Sequence, residues 1–303
     1  MQDFRRLLIG LDLSADGDQV STGSRAAALQ ASWLAERTGA ALEFVHSTHY
    51  DPSEESPARA AAGAEARREL FGSFVADYER AGLKASLEVS AERPWQALAR
   101  RAQGGERALV FVGRRNEAAD GGSALGGVSR RLLRKCAAPV WVVRPTSELV
   151  HERVLAATDL SPVGERVVQL AAQVAQGLDA KLAICHAFQV PLELTMTRVR
   201  IGEQAYQAEL EQMAQNARER IEACLPALEL AHPPELRIAC DAPSNLVRAE
   251  VERHSVDLVV MGTLSRSGVA GLLVGNTAER LLDRLTCSLL TVKPDDFVSP
   301  LSA

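Results

Sequence analysis

The sequence predicts an α/β fold that occurs twice along the chain. Short apolar runs alternate with longer segments of helical period, rich in Ala, Glu and Arg, as in successive βαβ units with parallel strands. The chain has 303 residues, so each half is long enough to bury its own core. Residues 127–145 match residues 276–294 without a gap. We therefore expect two tandem α/β domains, each built around a parallel sheet.

The internal repeat sets the expected domain boundaries. Matched blocks recur along the chain, and their offset changes only between blocks, which indicates insertions in connecting loops. The matched pairs are Gly113 with Gly262 and Gly126 with Gly275 at an offset of 149, Ser14 with Ser161 at 147, and His46 with His186 at 140. The predicted domains are residues 1–147 and 151–297, joined by a short polar segment.

Five strands are expected in each half. In the first half they lie near Leu7–Leu11, Leu42–His46, Ala85–Val89, Leu109–Gly113 and Val140–Val143. In the second half they lie near Val154–Thr158, Lys181–His186, Leu236–Cys240, Leu258–Gly262 and Leu289–Val292. Helices fall between the strands, and Ser161 followed by Pro162 is typical of a helix N-cap and first turn. Residues 47–63 and their counterpart, residues 191–202, are expected to be loops.

Composition and charge exclude several classes of function. The formal net charge of −5 gives no broad attraction to nucleic acid or anionic lipid. No apolar run approaches the roughly 18 residues of a membrane span, and the start of the sequence does not resemble a signal peptide. The five cysteines are scattered without a CxxC pair, so they indicate neither a disulfide framework nor a zinc site. We expect a cytoplasmic protein without nucleic-acid or membrane partners.

Polar residues follow the first strand of each half. In open parallel sheets, ligands bind beyond the carboxyl ends of strands, where the strand order reverses. Asp12 and Ser14 hold this position in the first half, and Asp159 and Ser161 hold it in the second. A carboxylate there could accept hydrogen bonds from a ribose hydroxyl or an adenine amine. It could equally help only to cap the first helix, and both interpretations stay open.

A glycine-rich segment follows the fourth strand of the second half. Gly262 ends the strand, and Gly275 with Asn276 opens the next helix. Such a segment can direct backbone N–H groups at an anion, and the helix N-terminus adds its positive dipole. Glycine-rich connections also exist only to make a tight turn. The spacing by itself therefore allows a phosphate site or a structural turn.

These residues resemble the nucleotide loop of the universal stress protein family. That loop has Gly, two residues, Gly, nine residues, and then Gly followed by Ser or Thr. The four positions are held by Gly262, Ser265, Gly275 and Asn276 in the second half and by Gly113, Asn116, Gly126 and Gly127 in the first. Both halves thus keep the outer glycines and depart at the other two positions. The resemblance covers both halves, and residues 275–297 are similar to the E-type tandem branch.

The resemblance implies a fold and a ligand. Each domain is expected to be an open five-stranded parallel sheet in the order 3-2-1-4-5 with helices on both faces. The two fifth strands are expected to pair within one chain, as an intramolecular pseudo-dimer. Asp159 and Ala187 would line an adenosine pocket, with the four loop residues around the phosphates. Asp12 and Ser47 are their first-half equivalents. ATP, with Mg²⁺ when bound, is a possible ligand of the second domain, because Asn276 could donate from its amide where the family has a hydroxyl, whereas Gly127 has no side chain to do so. A homodimer stays open.

Other side chains of interest are expected to be structural. His46 and His186 recur at matched strand ends, which favours a shared hydrogen bond over metal binding. Trp33 and Trp95 are expected to pack helices against the sheet rather than to stack on a base.

The leading functional hypothesis is a stress-response protein that binds an adenine nucleotide or another small ligand, with weak catalysis or none. The sequence has no Walker loop, no G-x-G-x-x-G after the first strand and no G-x-S-x-G elbow. Three alternatives stay open: pockets that bind a non-nucleotide ligand or act through protein partners, a receiver-like phosphoacceptor, and a slow ATP hydrolase. Lys293-Pro294 and Asp241 favour the receiver, whereas the lack of an acidic neighbour beside Asp159 opposes it. No catalytic or metal-binding residue is assigned.

Overall fold

The computed structural model describes residues 4–14, 16–49, 57–104, 107–114, 125–145, 151–225, 230–263, 281 and 284–301. Within these ranges the chain forms two compact units. The first unit contains the described residues up to 145 together with 288–301, and the second contains those from 151 to 287. The last strand of the sequence therefore belongs to the first unit.

The first unit is a mostly parallel sheet with helices packed against it. Its elements are β1 (Arg6–Leu11), α1 (Thr22–Thr38), β2 (Ala41–Ser47), α2 (Pro57–Arg80), β3 (Ala85–Ser90), α3 (Pro94–Arg101), β4 (Ala108–Gly113), α4 (Gly127–Lys135), β5 (Val140–Val143) and β10 (Ser288–Val292). The strand order is β3-β2-β1-β4-β5-β10. The first five strands pair in parallel, which confirms the predicted order 3-2-1-4-5.

β10 pairs with β5 in the antiparallel direction. Leu290 lies opposite Trp141, and Thr291 lies opposite Val140. This confirms the predicted pairing of the two fifth strands within one chain. Every residue of both strands is buried, and Trp141 stacks on Phe111 of β4 with ring centroids 5.3 Å apart. Burial of these apolar side chains stabilises the junction, at roughly 25 cal/mol per Å² of apolar surface.

The second unit repeats the first four strands of this arrangement. Its elements are β6 (Arg153–Ala157), α5 (Pro162–Leu178), β7 (Lys181–Phe188), α6 (Leu192–Ile201), α7 (Glu203–Cys224), β8 (Glu235–Cys240), α8 (Pro243–His254) and β9 (Leu258–Gly262). The strand order is β8-β7-β6-β9, with parallel pairing throughout. The ten strands lie where the sequence predicts them, and no end differs by more than two residues. Continuous apolar runs suit such strands because helices cover both faces.

Two predicted loops are partly helical, and those predictions are wrong. Residues 57–63 belong to α2, which begins at Pro57, and residues 50–56 lie outside the described parts of the chain. In the predicted loop 191–202, Pro191 is instead the N-cap of α6, and the helix ends at Gly202 with φ of 82°. Proline is tolerated at the start of a helix, where its missing N–H would have no partner. Both prolines therefore mark helix starts rather than loop interiors.

α6 forms without burying any residue. Its apolar side chains Leu192, Met196 and Val199 are 68%, 76% and 97% exposed. The Thr197 hydroxyl donates a hydrogen bond to the carbonyl of Glu193, and the Arg198 guanidinium donates to the carboxylate of Glu203 in α7. Local bonds thus stabilise this helix in place of core packing, which explains why apolar periodicity could not reveal it.

The long helices are polar along much of their length. α2 has 24 residues and α7 has 22, enough in length to cross a bilayer. Their mixture of charged and small residues rules this out, and no helix in the described ranges is both long and apolar enough to span a membrane.

Candidate functional site

The carboxyl ends of β6, β7 and β9 meet at one edge of the second unit. In the register of the sheet, Ala157 of β6 lies opposite Cys185 of β7 and opposite Met261 of β9. Asp159 follows two residues after Ala157, and Ala187 follows two residues after Cys185. Gly262 follows directly after Met261. Three of the predicted site residues therefore lie at the same edge of the sheet, at the centre of its strand order.

Ser161 is the N-cap of α5, as the sequence predicts. Its hydroxyl oxygen accepts a hydrogen bond from the backbone N–H of Gly164 at 3.2 Å, and Pro162 occupies the first turn. Asp159 Oδ1 accepts hydrogen bonds from the Ser161 N–H at 3.0 Å and from its hydroxyl at 2.5 Å. A Cβ at Gly164 would lie 2.7 Å from the same Oδ1. Gly164 thus lets the helix start lie directly against the carboxylate.

Leu160, between these two residues, has a left-handed backbone with φ of 60°. This conformation is rare for a leucine and costs about 1–2 kcal/mol. The Thr158 hydroxyl accepts a hydrogen bond from the Leu160 N–H at 3.0 Å, and Arg220 donates to the Leu160 carbonyl at 2.6 Å. Leu160 is also 7% exposed. The surrounding contacts therefore hold a strained turn that presents Asp159. Its sequence gives no signal for such a turn, since glycine or asparagine would be usual there.

His46 and His186 have the structural role expected of them. His46 Nδ1 lies 3.1 Å from the carbonyl of Leu11, and His186 Nδ1 lies 2.9 Å from the carbonyl of Thr158. Each ring therefore ties the end of one strand to the end of its neighbour. Burial lowers the pKa of His46, against the opposing effect of its hydrogen bond to Leu11. A hydrogen bond between neighbouring strand ends therefore explains both residues.

The first half differs at the corresponding turn, because its connection from β1 to α1 is longer. The N-cap of α1 is Ser21, whose side chain accepts a hydrogen bond from the Ser24 N–H. Ser21 and Ser161 are 140 residues apart, as are His46 and His186, whereas Ser14 and Ser161 are 147 apart. The sequence match of Ser14 with Ser161 is therefore not a structural match. Seven additional residues separate Ser14 from the helix cap.

Ser14 instead closes a turn within this insertion. Its N–H donates to the carbonyl of Gln19 at 2.8 Å, and its hydroxyl donates to Asp18 at 3.1 Å. Asp12 is exposed, and its Oδ1 accepts a hydrogen bond from the Leu13 N–H at 2.9 Å. The insertion loops out and returns to Asp12, whose carbonyl accepts from the Ser21 N–H at 2.9 Å. The difference between the halves is therefore in the side chain, because no bond joins the Asp12 carboxylate to the capping serine as one joins Asp159 to Ser161 within the described residues.

Ser47, the other first-half residue at this edge, is engaged by its own neighbours. It ends β2, its hydroxyl donates to the Glu92 carbonyl at 2.5 Å, and the same oxygen accepts from the His49 N–H at 3.2 Å. Ala187, its second-half counterpart in the resemblance, has no polar side-chain atom to engage. The two positions therefore offer different surfaces to a ligand.

Gly113 and Gly262 end the fourth strands of the two halves, and the space around them differs. A Cβ at Gly113 would lie 2.2–2.4 Å from three backbone atoms of Gly23, at the start of α1. Among the described residues, a Cβ at Gly262 would meet a methyl group of Val163, at 3.1 Å. Close backbone approach therefore explains the glycine in the first half without a ligand. The adjacent Arg114 is 4% exposed, so it does not extend into solvent beside this edge.

The loop residues are only partly within the structure's described ranges. Gly126 is the N-cap of α4, and a Cβ added there would meet open space. Gly127 begins the helix, and a Cβ there would lie 3.2 Å from the guanidinium of Arg131. Asn116, Ser265, Gly275 and Asn276 lie outside the described residues. No steric reason for glycine is evident at Gly126 within the described parts, which leaves ligand approach as one explanation.

Side chains near the strand ends offer little nucleophilic chemistry. Burial raises the pKa of Cys185 to about 12 and the pKa of Cys136 to about 11, so both thiols are protonated at neutral pH. Across the described ranges, no group of three His, Cys, Asp or Glu side chains is placed to hold a metal ion.

A family model described as "Universal stress protein family" matches residues 3–144 and 151–293 of this chain. Proteins named "Universal stress protein E" are also similar. The Photorhabdus laumondii protein is 24% identical over 327 residues, covering 100% of this chain and 99% of that protein. The Salmonella typhi protein is 25% identical over 178 residues, or 56% of this chain and 55% of that one.

Two solved structures resemble the fold over nearly the whole chain. A functionally unknown protein from Pseudomonas aeruginosa is 18% identical with a TM-score of 0.70, covering 97% of this chain and 94% of that one. A universal stress protein from Archaeoglobus fulgidus is 18% identical with a TM-score of 0.66, covering 97% of this chain and 99% of that one. At this level of identity the likeness establishes the fold alone.

Proposed function

Because this chain belongs to the universal stress protein family, with one family domain in each half, we propose that it is a stress-response protein that binds an adenine nucleotide in its second domain, with weak catalysis or none. In this proposal Asp159 accepts hydrogen bonds from the adenosine group, and Ala187 lines its pocket. The phosphates lie against four residues of the loop after β9: Gly262, Ser265, Gly275 and Asn276.

The observation that carries this proposal is the strained turn at Leu160. Backbone strain of this kind persists only where surrounding contacts enforce it, and such sites are often functional. Here the strain places a carboxylate beside a helix N-terminus at the central strands of the sheet, where ligands bind in open α/β folds. Asp159 Oδ1 is already oriented by Ser161, so binding would cost little further ordering.

The first domain is the weaker candidate for the same ligand. Its counterpart of the Asp159 turn contains the seven-residue insertion, and the exposed Asp12 carboxylate accepts from the Leu13 N–H rather than from the serine that caps the helix. Gly113 lies against backbone at the start of α1. These features support a nucleotide site in one domain, with the other retained for its contribution to the fold.

The residues of the second domain fit the adenosine part of ATP better than they fit a bound metal. Because Gly164 has no Cβ, the start of α5 lies directly against the carboxylate of Asp159. Asp159 Oδ1 is committed to Ser161, so Mg²⁺ would be held chiefly by the nucleotide phosphates and water. When bound, ATP would supply phosphates for the loop after β9 to recognise, and Asn276 could donate its amide in place of the usual hydroxyl.

The proposal includes a reducing, cytoplasmic location. All five cysteines of the chain are free thiols, and Cys136, Cys185 and Cys287 are buried. Proteins of oxidising compartments commonly use cysteines as disulfides. Free buried thiols therefore support the cytoplasm.

The receiver-like alternative has less support. Lys293 donates a hydrogen bond to the carbonyl of Leu133 at 2.5 Å and lies 4.7 Å from the ring centroid of Phe297. Packing at the end of β10 thus accounts for Lys293 without phosphoryl chemistry. Asp241 is engaged at the start of α8, where it accepts from the N–H of Ala242 at 2.6 Å. A slow ATP hydrolase would require a positioned water, which the thiols of Cys136 and Cys185 cannot activate because both are protonated at neutral pH.

Calorimetric titration of Mg-ATP into the full chain tests the proposal. We expect a dissociation constant on the order of micromolar for the unaltered protein. Gly275→Val, which crowds the proposed phosphate loop, should abolish the binding heat. Asp159→Asn should weaken binding about tenfold or more by removing a charged acceptor.

Matched substitutions in the first domain serve as controls. Gly126→Val places its side chain in open space, so that variant should fold and bind ATP normally, as should Asp12→Asn. Absence of binding in the unaltered protein would refute the proposed function. Loss of binding in Gly126→Val but not in Gly275→Val would assign the site to the other domain.

A further inference from the structure

The packing between the third and fourth helices of the first half depends on a tryptophan. Trp95 of α3 is 7% exposed, and the Lys135 ammonium of α4 lies 4.8 Å from its ring centroid. Leu132 of α4 is fully buried. The indole thus fills the space between the two helices, with a cation over its face.

The second half has a serine where the first half has this tryptophan. At the offset of 149, Trp95 corresponds to Ser244, and Pro94 and Pro243 begin the equivalent helices α3 and α8. A cavity of about 300 Å³ lies at this position. The described residues that line it are Ser244, Asn245, Arg248, Leu281 and Arg284. Replacement of an indole by a hydroxymethyl group accounts for the space, whose volume is at the lower end of small-ligand sites, about 300–1,000 Å³.

Compared with the equivalent place in the first half, the cavity has the same apolar residue and one more positive charge. Leu281 corresponds to the buried Leu132 and is 1% exposed. Arg284 corresponds to Lys135, so one cation is common to both halves. The second cation, Arg248, has no counterpart, because Ala99 holds the equivalent position in the first half. The second half therefore has no aromatic ring and has a second guanidinium at the place where the first half has the indole and one ammonium.

Neither arginine is neutralised within the described part of the chain. Arg248 and Arg284 form no side-chain hydrogen bond or ion pair with another described residue, and both are exposed. The neighbouring carboxylate of Asp241 accepts instead from the Ala242 N–H at 2.6 Å and from the Asn245 amide at 3.2 Å. Two guanidinium groups beside one cavity repel each other, so an anion between them would be stabilising.

We propose that this cavity binds a small planar aromatic carboxylate. Its ring would occupy the space that the Trp95 indole fills in the first half, against Leu281. Its carboxylate would pair with Arg248 and Arg284, because guanidinium groups both stack on aromatic rings and bind carboxylates in a bidentate manner. The site is separate from the Asp159 edge, and it does not depend on nucleotide binding.

Titration of the full chain with indole-3-acetate, followed by calorimetry and by saturation-transfer NMR, tests the proposal. We expect a dissociation constant on the order of 0.1–1 mM for a ligand of this size. Indole and acetate, which each carry half of the recognised chemistry, should bind at least tenfold more weakly. Ser244→Trp should abolish binding, because it restores the side chain that fills the equivalent space in the first half.

Charge variants provide a second, independent readout. Arg248→Ala, which restores the first-half residue, should weaken binding of indole-3-acetate about tenfold or more. Arg253→Ala removes an exposed arginine of α8 that does not line the cavity, and it should bind normally, as should Asp159→Asn. The proposal is overturned if the unaltered protein does not bind the probe at millimolar concentration, or if folded Ser244→Trp or Arg248→Ala binds as well as the unaltered protein. Equal binding of acetate would overturn the aromatic part.

Discussion

The helices α3 and α8 are attached by an arginine at the same position in each half and by ion pairs of opposite polarity. Arg6 at the start of β1 donates to the carbonyl of Gly104 at 2.5 Å and of Arg101 at 3.1 Å. Arg153 at the start of β6 donates to the carbonyl of His254 at 2.8 Å. In both halves an arginine thus satisfies carbonyls at the end of the helix, which have no partners within the helix itself.

The ion pair beside this arginine is reversed between the halves. In the first half the cation is on the helix: Arg101 lies 3.4 Å from Glu88 of β3. In the second half the anion is on the helix: Glu250 lies 3.3 Å from Arg237 of β8. Both members of the pair correspond at the offset of 149. Two substitutions have exchanged the charges and kept the attraction.

This comparison shows which features the fold requires and which it leaves free. The strand-end histidines and the arginines at the first strands keep both identity and contacts. The ion pair keeps its distance while the two charges exchange places. The Trp95 position keeps neither the residue nor its contacts. Backbone carbonyls need a donor of fixed direction, whereas an attraction between two side chains is unchanged by reversal of both charges. Divergence is therefore concentrated where side chains contact only one another.

The largest expected difference between the halves is at the outer glycines. Gly113→Ala would place a Cβ 2.2–2.4 Å from backbone atoms of Gly23, which no rotamer change can relieve. We expect a loss of about 3 kcal/mol in the free energy of unfolding. Within the described ranges, the Cβ of Gly262→Ala meets a methyl group of Val163 at 3.1 Å, and we expect a loss of about 1 kcal/mol.

Differential scanning calorimetry of the two variants measures this contrast. The Gly113→Ala variant should melt several degrees below the Gly262→Ala variant. Equal losses would contradict the idea that packing requires glycine only in the first half. They would instead indicate that the two strand ends approach their first helices equally closely.

Much of this framework could be predicted from the sequence because it depends on local pattern. The strands are short apolar runs bounded by polar segments, and Ser161 followed by Pro162 is a strong local signal for a helix start. The pairing of β5 with β10 came from the family resemblance and not from the pattern. A structural role for His46 could be anticipated because His186 repeats it at a strand end.

Other features required the three-dimensional arrangement. Asp12-Leu13-Ser14 and Asp159-Leu160-Ser161 read alike, yet only the second is followed directly by a helix. The strain at Leu160 arises from contacts with Thr158 and Arg220, and Arg220 is 60 residues away along the chain. The ungapped match also pairs Trp95 with Ser244, but the resulting cavity is evident only once the neighbouring helices are in place.

The next largest effect concerns Glu43, the carboxylate that Arg6 and Arg101 share. Arg6 Nε lies 2.6 Å from Oε1, and Arg101 Nε lies 2.6 Å from Oε2. Ala183 holds the corresponding position in the second half. The ion pairs of Glu43 with Arg6 and Arg101 therefore occur only in the first half. Because the side chains of Glu43 and Arg6 are 12% and 13% exposed, we expect Glu43→Gln to cost about 2 kcal/mol.

The same residue predicts a pH dependence. Burial raises the pKa of Glu43, but hydrogen bonds and charge from Arg6 and Arg101 outweigh it and leave the pKa below the ordinary value of 4.5. The stabilisation is therefore complete above pH 4.5 and is lost as the pH falls through the folded-state pKa. Urea unfolding between pH 6 and 3 should show a steeper loss for the unaltered protein than for Glu43→Gln. Parallel losses would contradict the assignment.

Glu88→Gln is the matched control for this prediction. Its carboxylate is 42% exposed and lies 3.4 Å from the same Arg101. Solvent screens an exposed pair of this kind, so the cost should be below about 1 kcal/mol. A larger loss for Glu88→Gln than for Glu43→Gln would show that the reversed pair, and not the shared carboxylate, holds α3.

The smallest expected effect is at the ends of the first helices, where the halves again share a backbone shape but not a residue. Gly39 ends α1 with φ of 70°, and Asp179 ends α5 with φ of 54°. Both positions are exposed, and they correspond at the offset of 140. Only glycine adopts this left-handed shape without steric cost. Asp179→Gly should therefore stabilise the protein by about 0.5 kcal/mol, partly offset by the flexibility of glycine in the unfolded chain.

Gly39→Asp is the reverse substitution, and it should cost about 1 kcal/mol. A Cβ added at Gly39 would meet no neighbouring atom, so this loss measures backbone strain without a clash. Thermal unfolding of the two single variants gives the two changes in the free energy of unfolding. In the double variant the change should equal their sum, because the two sites are in separate units. If Asp179→Gly destabilises the protein, the aspartate contributes a favourable contact that outweighs its strain, and the two helix ends are not equivalent in energy.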